Sequence, residues 1–373
     1  MNDTLSVVSG DAMIAAWVRA LRFGLLAGPL LLAGAGAARA DETEWPIEGR
    51  LFGKLEPGGN GKKLDFKTAR DISGIACEDG TALPRLCLIA DDEAQGVQIV
   101  MARRHEGEAG AFIPLIADRL GGEPLSLDAE GVAYADGAFY VIGSHGRPRR
   151  ESDPAAANIR AKATWRVFRI RFVPGSVNRS GDIRGPRPAV EVSTDLPAFL
   201  RSVPQLAGAF DGKLAEHGLN LEGVAVHEGR LFAGLRAPVV EGRAAVVAVP
   251  LAALFGGEPG KAELITYDLG KDTLGAPRGI RDLIAFGGGF LILAGPQLDP
   301  PAGRAVAYGD YAVYRAATAG TGATLVANLP AFGGEGKPEA LLPLKHEGGA
   351  LRAVLLFDGP REGGGRMVSF EIR

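Results

Sequence analysis

An acidic residue recurs at the start of a repeated apolar segment, and this recurrence is the clearest chemical signal in the chain. Two copies read Glu-Gly-Val-Ala, beginning at Glu130 and at Glu222. We align Asp282 and Glu339 with them, whereas Ser73 takes the same position in an earlier copy without a carboxyl group. Carboxylates that converge repel each other unless a counter-charge is present. We call these five aligned positions the anchors.

Three roles are compatible with the acidic anchors. A hard cation such as Ca²⁺ takes about six to eight oxygen ligands and suits converging carboxylates. Alternatively, backbone amides or the neighbouring arginines Arg236, Arg278 and Arg281 satisfy each carboxylate separately. Direct acid/base catalysis is the third role. The candidate metal ligands are Glu130, Glu222, Asp282 and Glu339.

A second polar group follows the second apolar strand of each copy. In Gly143-Ser144-His145-Gly146 the candidate catalytic residue is His145, because an imidazole exchanges a proton near neutral pH. Ser144 does not form a nucleophile pair with it, since neighbouring residues of a strand point to opposite faces. The basic run Arg147-Pro148-Arg149-Arg150 could hold a phosphate or carboxylate, or be a solvated loop. The candidate substrate-binding residues are Ser144, Arg147, Arg236 and Arg281.

The elements that position these residues are predicted to be β-hairpins. Each anchor opens a strand–turn–strand pattern with an Asp-Gly or Gly-rich turn, and a third strand follows in several copies. The anchors are spaced by 57, 92, 60 and 57 residues. Three of these spacings are typical of four-stranded propeller blades, and heavy glycine and proline usage fits many tight turns.

We therefore expect an all-β fold, a β-propeller of six blades, with five or seven as alternatives. The 92-residue interval could hold an extra blade around residues 189–192, or an insertion. A strand at residues 50–54 is expected to pair with residues 367–372 and close the ring, which would remove exposed sheet edges.

Residues 1–40 are predicted to be a secretory signal peptide. Arg19 and Arg22 precede an apolar run over residues 23–38, and Ala38-Arg39-Ala40 matches a cleavage site. A transmembrane helix is the weaker alternative, because the run is shorter than about 20 residues and Pro29 interrupts it. We expect residues 41–373 to form one propeller domain, periplasmic or secreted, with no membrane span after cleavage.

Charge and cysteine content narrow the function classes. The net charge of −3 provides no concentrated positive field, which argues against nucleic-acid binding. Cys77 and Cys87 flank a polar turn, and an oxidising compartment favours a disulfide between them. Zinc is a poor alternative, because the chain has no further cysteine.

The ordered set of anchor motifs resembles the bacterial "domain of unknown function" family numbered 3616. The resemblance covers residues 71–373 and implies a propeller fold, but no established activity. The motifs are Leu127-Asp128-Ala129-Glu130-Gly131-Val132-Ala133 with Gly143-Ser144-His145, Asn220-Leu221-Glu222-Gly223-Val224-Ala225 with Gly234-Leu235-Arg236-Ala237-Pro238, Gly279-Ile280-Arg281-Asp282-Leu283 with Ala294-Gly295-Pro296, and Lys337-Pro338-Glu339-Ala340.

More loosely, the chain resembles the esterase-like phytases and the calcium-dependent lactonase-type propellers. That analogy implies a metal at the channel mouth, held by the acidic anchors, although Ser73 departs from the pattern. We expect a calcium-dependent hydrolase of a small anionic phosphoester, ester or lactone. The cation would polarise the substrate, His145 or an anchor carboxylate would handle the proton, and arginines would hold the anion. The alternative is a non-enzymatic binding or scaffold propeller with an unknown protein partner and a structural acidic ring.

Overall fold

The computed structural model describes residues 39–57, 64–80, 82–320, 322–334 and 336–372. Except for residues 39 and 40, the predicted signal peptide lies outside this range. In chain order the strands are β1 (Arg39–Glu44), β2 (Ile47–Glu48), β3 (Phe52–Pro57), β4 (Leu64–Thr68), β5 (Ile72–Cys77), β6 (Arg85–Asp91), β7 (Gly96–Ala102), β8 (Gly107–Pro114), β9 (Arg119–Leu120), β10 (Glu123–Pro124), β11 (Ala129–Ala135), β12 (Ala138–Gly143), β13 (Val167–Arg171), β14 (Ala189–Ser193), β15 (Asn220–His227), β16 (Arg230–Ala237), β17 (Ala244–Pro250), β18 (Glu263–Tyr267), β19 (Gly279–Phe286), β20 (Gly289–Gly295), β21 (Ala312–Ala317), β22 (Ala323–Asn328), β23 (Lys337–Glu347), β24 (Ala350–Asp358) and β25 (Arg366–Glu371). The helices are α1 (Pro154–Thr164), α2 (Leu196–Ser202), α3 (Pro204–Ala207) and α4 (Leu251–Phe255), and 3₁₀ turns lie at Leu214–Glu216, Phe332–Gly334 and Arg361–Gly364.

Five sheets, antiparallel apart from the added strand β2, form the blades of a β-propeller, which confirms the predicted fold. Their inner strands β5, β11, β15, β19 and β23 follow one another around a ring, and β23 contacts β5 again. Blade 1 contains β5–β8 with β2 added at its edge, blade 2 β11–β14, blade 3 β15–β18, and blade 4 β19–β22. Blade 5 contains β23–β25 and β1. Five blades were an open alternative, and the favoured number of six is wrong.

The long interval between the second and third anchors holds an insertion, not an extra blade. Residues 189–192 belong to β14, the outer strand of blade 2. The added length contains α1, between β12 and β13, and α2 and α3, between β14 and β15. Helix α1 begins where the Asp153 side chain accepts a hydrogen bond from the amide of Ala155, with Pro154 in the first turn. Both features favour a helix start.

The ring is closed by a different strand from the one expected. Strand β1 pairs antiparallel with β25, the third strand of blade 5, so one blade combines both ends of the described chain. Residues 52–54 instead belong to β3, which pairs with β4 in a separate hairpin. The predicted cleavage point after Ala40 would leave residues 41–44 of the closing strand in place.

The hydrophobic core lies between the blades. Five clusters of buried apolar side chains fill the five gaps between neighbouring sheets, so each sheet is packed on both faces. Between blades 3 and 4, the rings of Phe232 and Phe290 meet edge to face with centroids 4.9 Å apart. Full burial of one such side chain contributes about 1.5–3 kcal/mol. The blades are therefore held together mainly by apolar contact.

The hairpin connections and the disulfide agree with the sequence. Asp136 and Gly137 both have positive φ, as do Glu228 and Gly229, and this conformation suits two-residue hairpin turns. Cys77 and Cys87 face each other on β5 and β6 and form the predicted disulfide. Among the described residues, no helix combines the length and apolar character that a membrane span requires.

Candidate functional site

A β-bulge marks the anchor position in all five inner strands. In each, one residue is skipped in the pairing with the second strand. In blade 4 the skipped residue is Arg281, not Asp282, so our alignment of that copy is wrong by one residue. The true ring consists of Ser73, Glu130, Glu222, Arg281 and Glu339. It contains three acids and one base, so part of the expected repulsion is compensated within the ring.

The glycine after the anchor permits close contact between neighbouring inner strands. A Cβ atom at Gly74 would lie 2.8 Å from the Cα atom of Gly131, and one at Gly223 would lie 2.7 Å from the amide nitrogen of Leu283. Both distances are too short for a side chain, which explains the Glu-Gly pair. Asp282 takes this position in blade 4.

A polar residue two positions before the anchor adds a second layer to the ring. The residues are Asp71, Asp128, Asn220 and Lys337, and all four line the same cavity. Blade 4 has Gly279 there, where a Cβ atom would meet the carbonyl oxygen of Arg236 at 2.0 Å. Strand side chains alternate with period two, so a residue two positions before the anchor is expected on the same side of the strand.

The ring and this second layer open into a cavity of about 590 Å³ at the channel mouth. Its acidic residues come mainly from blades 1 and 2, and its basic residues come from the insertion and from blades 2, 3 and 5. Besides Glu222 and Glu339, the acidic lining residues are Asp71, Asp92, Glu93, Asp128, Glu130 and Asp358. The basic lining residues are Arg147, Arg149, Arg150, Arg160, Arg236 and Lys337.

Three of the acids are close enough to share a cation. Asp92, Asp128 and Glu130 each present a carboxylate oxygen, and these oxygens lie within 4.8 Å of one another. Glu130 is 7% exposed and has no hydrogen bond or ion pair with any described residue. The Oδ1 atom of Asp92 is buried and equally unpartnered, whereas Asp128 accepts a hydrogen bond from Ser144.

Electrostatics reinforce this grouping. Burial raises the pKa of Asp92 well above its ordinary value, and the charge of Asp128 adds to the effect. Burial also raises the pKa of Glu130 well above its ordinary value, with a further contribution from Glu222. These carboxyl groups are therefore costly to ionise without a counter-charge.

A neighbouring cluster of Asp71, Asp91 and Asp92 differs, because one of its members already has partners. The Asp91 carboxylate accepts hydrogen bonds from the amides of Arg70, Asp71 and Glu93, each at 3.1 Å. Asp91 thus stabilises the turn at the end of β6, and the first cluster is the better candidate metal centre.

Glu222 and Glu339 flank the guanidinium group of Arg281, which is 1% exposed. Glu222 also accepts a hydrogen bond from Arg236 at 3.0 Å. Burial raises the pKa of Glu339 well above its ordinary value, and the nearby Glu222 adds to this. Burial alone would raise the pKa of Glu222 too, but Arg281 and Arg236 outweigh it and lower that pKa. The surroundings therefore push the pKa values of the two carboxyl groups in opposite directions.

Asp282 joins two blades. Its carboxylate accepts hydrogen bonds from the amides of Leu283 and of Leu341 on β23, both at 2.8 Å. Burial raises its pKa to about 7, although these amides oppose the shift. Both oxygens are occupied by backbone groups, so the structure places this predicted ligand in a fastening role between blades 4 and 5.

His145 lies beside the cavity without lining it. Its side chain is fully buried, and Nδ1 lies 2.7 Å from the carbonyl oxygen of Gly143. Burial lowers its pKa to about 4, so the imidazole is neutral at physiological pH. Ser144, its neighbour, does line the cavity.

The candidate arginines occupy different layers. Arg147 lines the cavity, pairs with Asp211 at 2.6 Å and stacks on the Trp165 ring. Arg236 lines it as well, whereas Arg281 sits in the ring beneath. Arg278 binds the carbonyl oxygens of Leu269 and neighbouring loop residues, so it serves no anchor carboxylate.

Comparison with known proteins supports the family expected from the motifs. Residues 191–368 match the family described as "Protein of unknown function (DUF3616)", which confirms that resemblance. No curated protein matches the chain.

Solved structures with a similar fold include the following three. The exo-β-1,3-galactanase of Phanerochaete chrysosporium, solved with galactose, is 9% identical at a TM-score of 0.42, covering 86% of this chain and 64% of its own. The "Xyloglucan PUL GH43B" protein of Bacteroides ovatus is 14% identical at a TM-score of 0.40, and the match covers 88% of this chain and 53% of that protein. The endo-arabinase of Bacteroides thetaiotaomicron is 10% identical at a TM-score of 0.38, and the match covers 87% of this chain and 98% of that protein. The chain thus spans less than two thirds of the first two, and likenesses this weak carry no argument about activity.

Proposed function

We propose that this propeller, whose residues 191–368 match the DUF3616 family, is a metal-assisted hydrolase of an anionic ester, with a phosphoester as the best fit. The observation that carries the proposal is the environment of Glu130. The residue is 7% exposed, and its carboxylate has no hydrogen bond or ion pair among the described residues; it lies beside Asp92 and Asp128 in a cavity that also gathers basic side chains.

The proposed metal centre consists of Asp92, Asp128 and Glu130. Their donor atoms are all carboxylate oxygens, which favours a hard cation such as Ca²⁺. A cation bound there would polarise the ester oxygen and offset the negative charge that develops in the transition state. Ser144 would hold the Asp128 carboxylate in place through its hydrogen bond.

The basic residues would bind the anionic group of the substrate. Arg150 is exposed, lines the cavity and has no ion-pair partner in the described part of the chain. Arg147 and Arg149 precede it in the same loop. Guanidinium groups bind phosphate oxygens through paired hydrogen bonds, so this loop fits a phosphoester better than an uncharged lactone.

The proton would come from the Glu222–Glu339 pair. Both residues line the cavity; burial raises the pKa of Glu339, whereas Arg281 and Arg236 lower that of Glu222. Two carboxyl groups whose pKa values are pushed apart can serve as acid and conjugate base. Water would attack the phosphorus while Glu339 donates a proton to the leaving oxygen of the broken ester bond. The proton that the water loses would return to the pair, which Arg281 holds in position. His145 is the weaker candidate because it does not line the cavity.

The test is a substrate screen on the mature protein. We expect calcium-dependent turnover of a 4-nitrophenyl phosphoester, abolished by chelator and by Glu130→Gln, and reduced at least about tenfold in Glu339→Gln. Glu191→Gln is the matched control, because Glu191 lies on the outer strand β14 and pairs with Arg169 and Arg171. Carboxyl esters, lactones and glycosides are the comparison substrates. Turnover that persists in chelator would contradict the metal-assisted mechanism.

A non-enzymatic binding propeller is the second candidate. It is favoured by the internal pairing of Glu222, Asp282 and Glu339, which gives these acids a structural role without any ligand. Tight calcium binding without turnover of any substrate class would support this alternative.

We also propose that the protein is exported to the periplasm or secreted. The disulfide between Cys77 and Cys87 supports this, since such bonds persist in oxidising compartments. Fusing residues 1–40 to a reporter that is active only after export would test it; a reporter that stays inactive would contradict it.

A further inference from the structure

One carboxylate at the cavity mouth accepts contacts from three cations. Asp299 Oδ2 lies 2.6 Å from Nη1 of Arg149, and Asp299 Oδ1 lies 2.9 Å from Nη2 of Arg236 and 3.4 Å from Nζ of Lys337. The three cations come from blades 2, 3 and 5, and all of them line the cavity. They converge on a single point although they are far apart in sequence.

Asp299 belongs to a long connection, not to the blades. Residues 296–311 join β20 to β21 without a helix or strand, and such long connections are commonly functional. The neighbouring Leu298 is 51% exposed. Partial burial would raise the pKa of Asp299, but Arg236, Lys337 and Arg149 together hold it well below its usual range. The carboxylate is therefore a full anion, tethered at the mouth.

The fit between this carboxylate and its partners is incomplete. Arg236 and Lys337 share one oxygen, and Lys337 is the more distant of the two. A phosphate group has enough oxygens to give each cation its own partner. Arg236 and Lys337 also form ion pairs with Glu222 and Asp358, and a phosphate in place of Asp299 would offer each of the three cations a separate oxygen.

We propose that Arg149, Arg236 and Lys337 form an anion subsite for a phosphate group of the substrate, and that Asp299 occupies it as a tethered competitor in the free protein. Binding of the substrate would displace Asp299 and lift the 296–311 connection from the mouth. The phosphate is identified with the substrate only through the proposed function, whereas anion binding itself requires no metal.

The test is binding of inorganic phosphate to the full mature protein in chelator at pH 7.5, by calorimetry. We expect Asp299→Asn to bind phosphate about tenfold more tightly than the wild type, because the competing charge is gone; tenfold corresponds to about 1.4 kcal/mol. Glu191→Gln removes the same charge from a carboxylate of equal side-chain exposure, 43%, and should leave phosphate affinity unchanged. Acetate is tested in parallel, and its affinity should increase less than that of phosphate on the Asp299→Asn substitution.

Adding Arg149→Gln to Asp299→Asn should abolish the gain, and Arg149 is exposed enough for this change to leave folding intact. Equal phosphate affinity in wild type and Asp299→Asn would overturn the proposal, as would an equal gain in Glu191→Gln or a gain that survives Arg149→Gln. A wild-type protein that binds phosphate but shows no calcium-dependent turnover would count against the proposed function alone. Intact turnover without phosphate binding would count against the subsite alone.

Discussion

Replacing Glu130 by glutamine should stabilise the metal-free protein while weakening its calcium binding. Glu130 is buried with its oxygen within 4.8 Å of Asp92 and Asp128, and two charges at that distance repel by about 3 kcal/mol at an effective dielectric constant of about 20. Partial protonation of Glu130 relieves much of this repulsion, because burial raises its pKa. We therefore expect a net gain of about 1–2 kcal/mol at pH 8, or a rise in Tm of about 2 °C.

The calcium-bound protein should respond in the opposite direction. Glutamine keeps the shape of the side chain but removes one negative ligand, so the calcium dissociation constant should rise at least about tenfold. The assay is thermal unfolding at pH 8 in chelator and in calcium, with Glu191→Gln as the control. A Glu130→Gln protein that melts lower in chelator, or that responds to calcium like the wild type, would refute the reasoning.

Two further predictions concern the buried charges beneath and beside the cavity. Arg281→Gln should lower the free energy of unfolding, measured by denaturant titration, by about 3–5 kcal/mol, because Glu222 and Glu339 lose their common partner. The control, Arg352→Gln at an exposed position on β24, should change that free energy by less than about 0.5 kcal/mol. Equal effects of the two substitutions would contradict a stabilising role for the ion pairs of Arg281. His145 has a folded pKa of about 4 against an ordinary value of 6.5, so its contribution to stability is complete above pH 6.5 and is lost as the pH falls to 4. In His145→Asn, Tm should therefore fall less between pH 6.5 and pH 4 than in the wild type. The same pH profile of Tm in both proteins would count against a buried neutral imidazole.

The fold was largely predictable because the repeat is periodic. Each copy alternates apolar strands with Asp-Gly or Gly-rich turns, and the four-stranded blade follows from the spacing between anchors. The blade number was not predictable, since 92 residues hold a blade as readily as an insertion. Helix α1 was missed although Asp153-Pro154 followed by alanines is a helix start signal. The closing strand was misplaced because the short apolar pair Leu51-Phe52 within residues 50–54 suits a hairpin equally well.

The candidate site was predictable in location but not in detail. Four of the five anchors, Ser73, Glu130, Glu222 and Glu339, line one cavity, whereas Asp282 does not. In blade 4 we aligned by acidity, whereas aligning the apolar Leu283 with Val132 and Val224 would have placed Arg281 at the anchor. A single bulged residue decides which of two adjacent polar side chains faces the channel, and sequence alone does not reveal it. Asp299 carries no repeat signal, so only the structure brings it to the mouth.

The most direct test of the central claim is a crystal structure of the mature protein grown with Ca²⁺ and, in parallel, with Mn²⁺ for its anomalous signal. We predict one strong peak within about 2.3–2.6 Å of carboxylate oxygens of Asp92, Asp128 and Glu130 in the calcium crystals, and an anomalous peak at the same place in the manganese crystals. A cation bound instead between Glu222 and Glu339, or no peak at the three acids, would contradict the account.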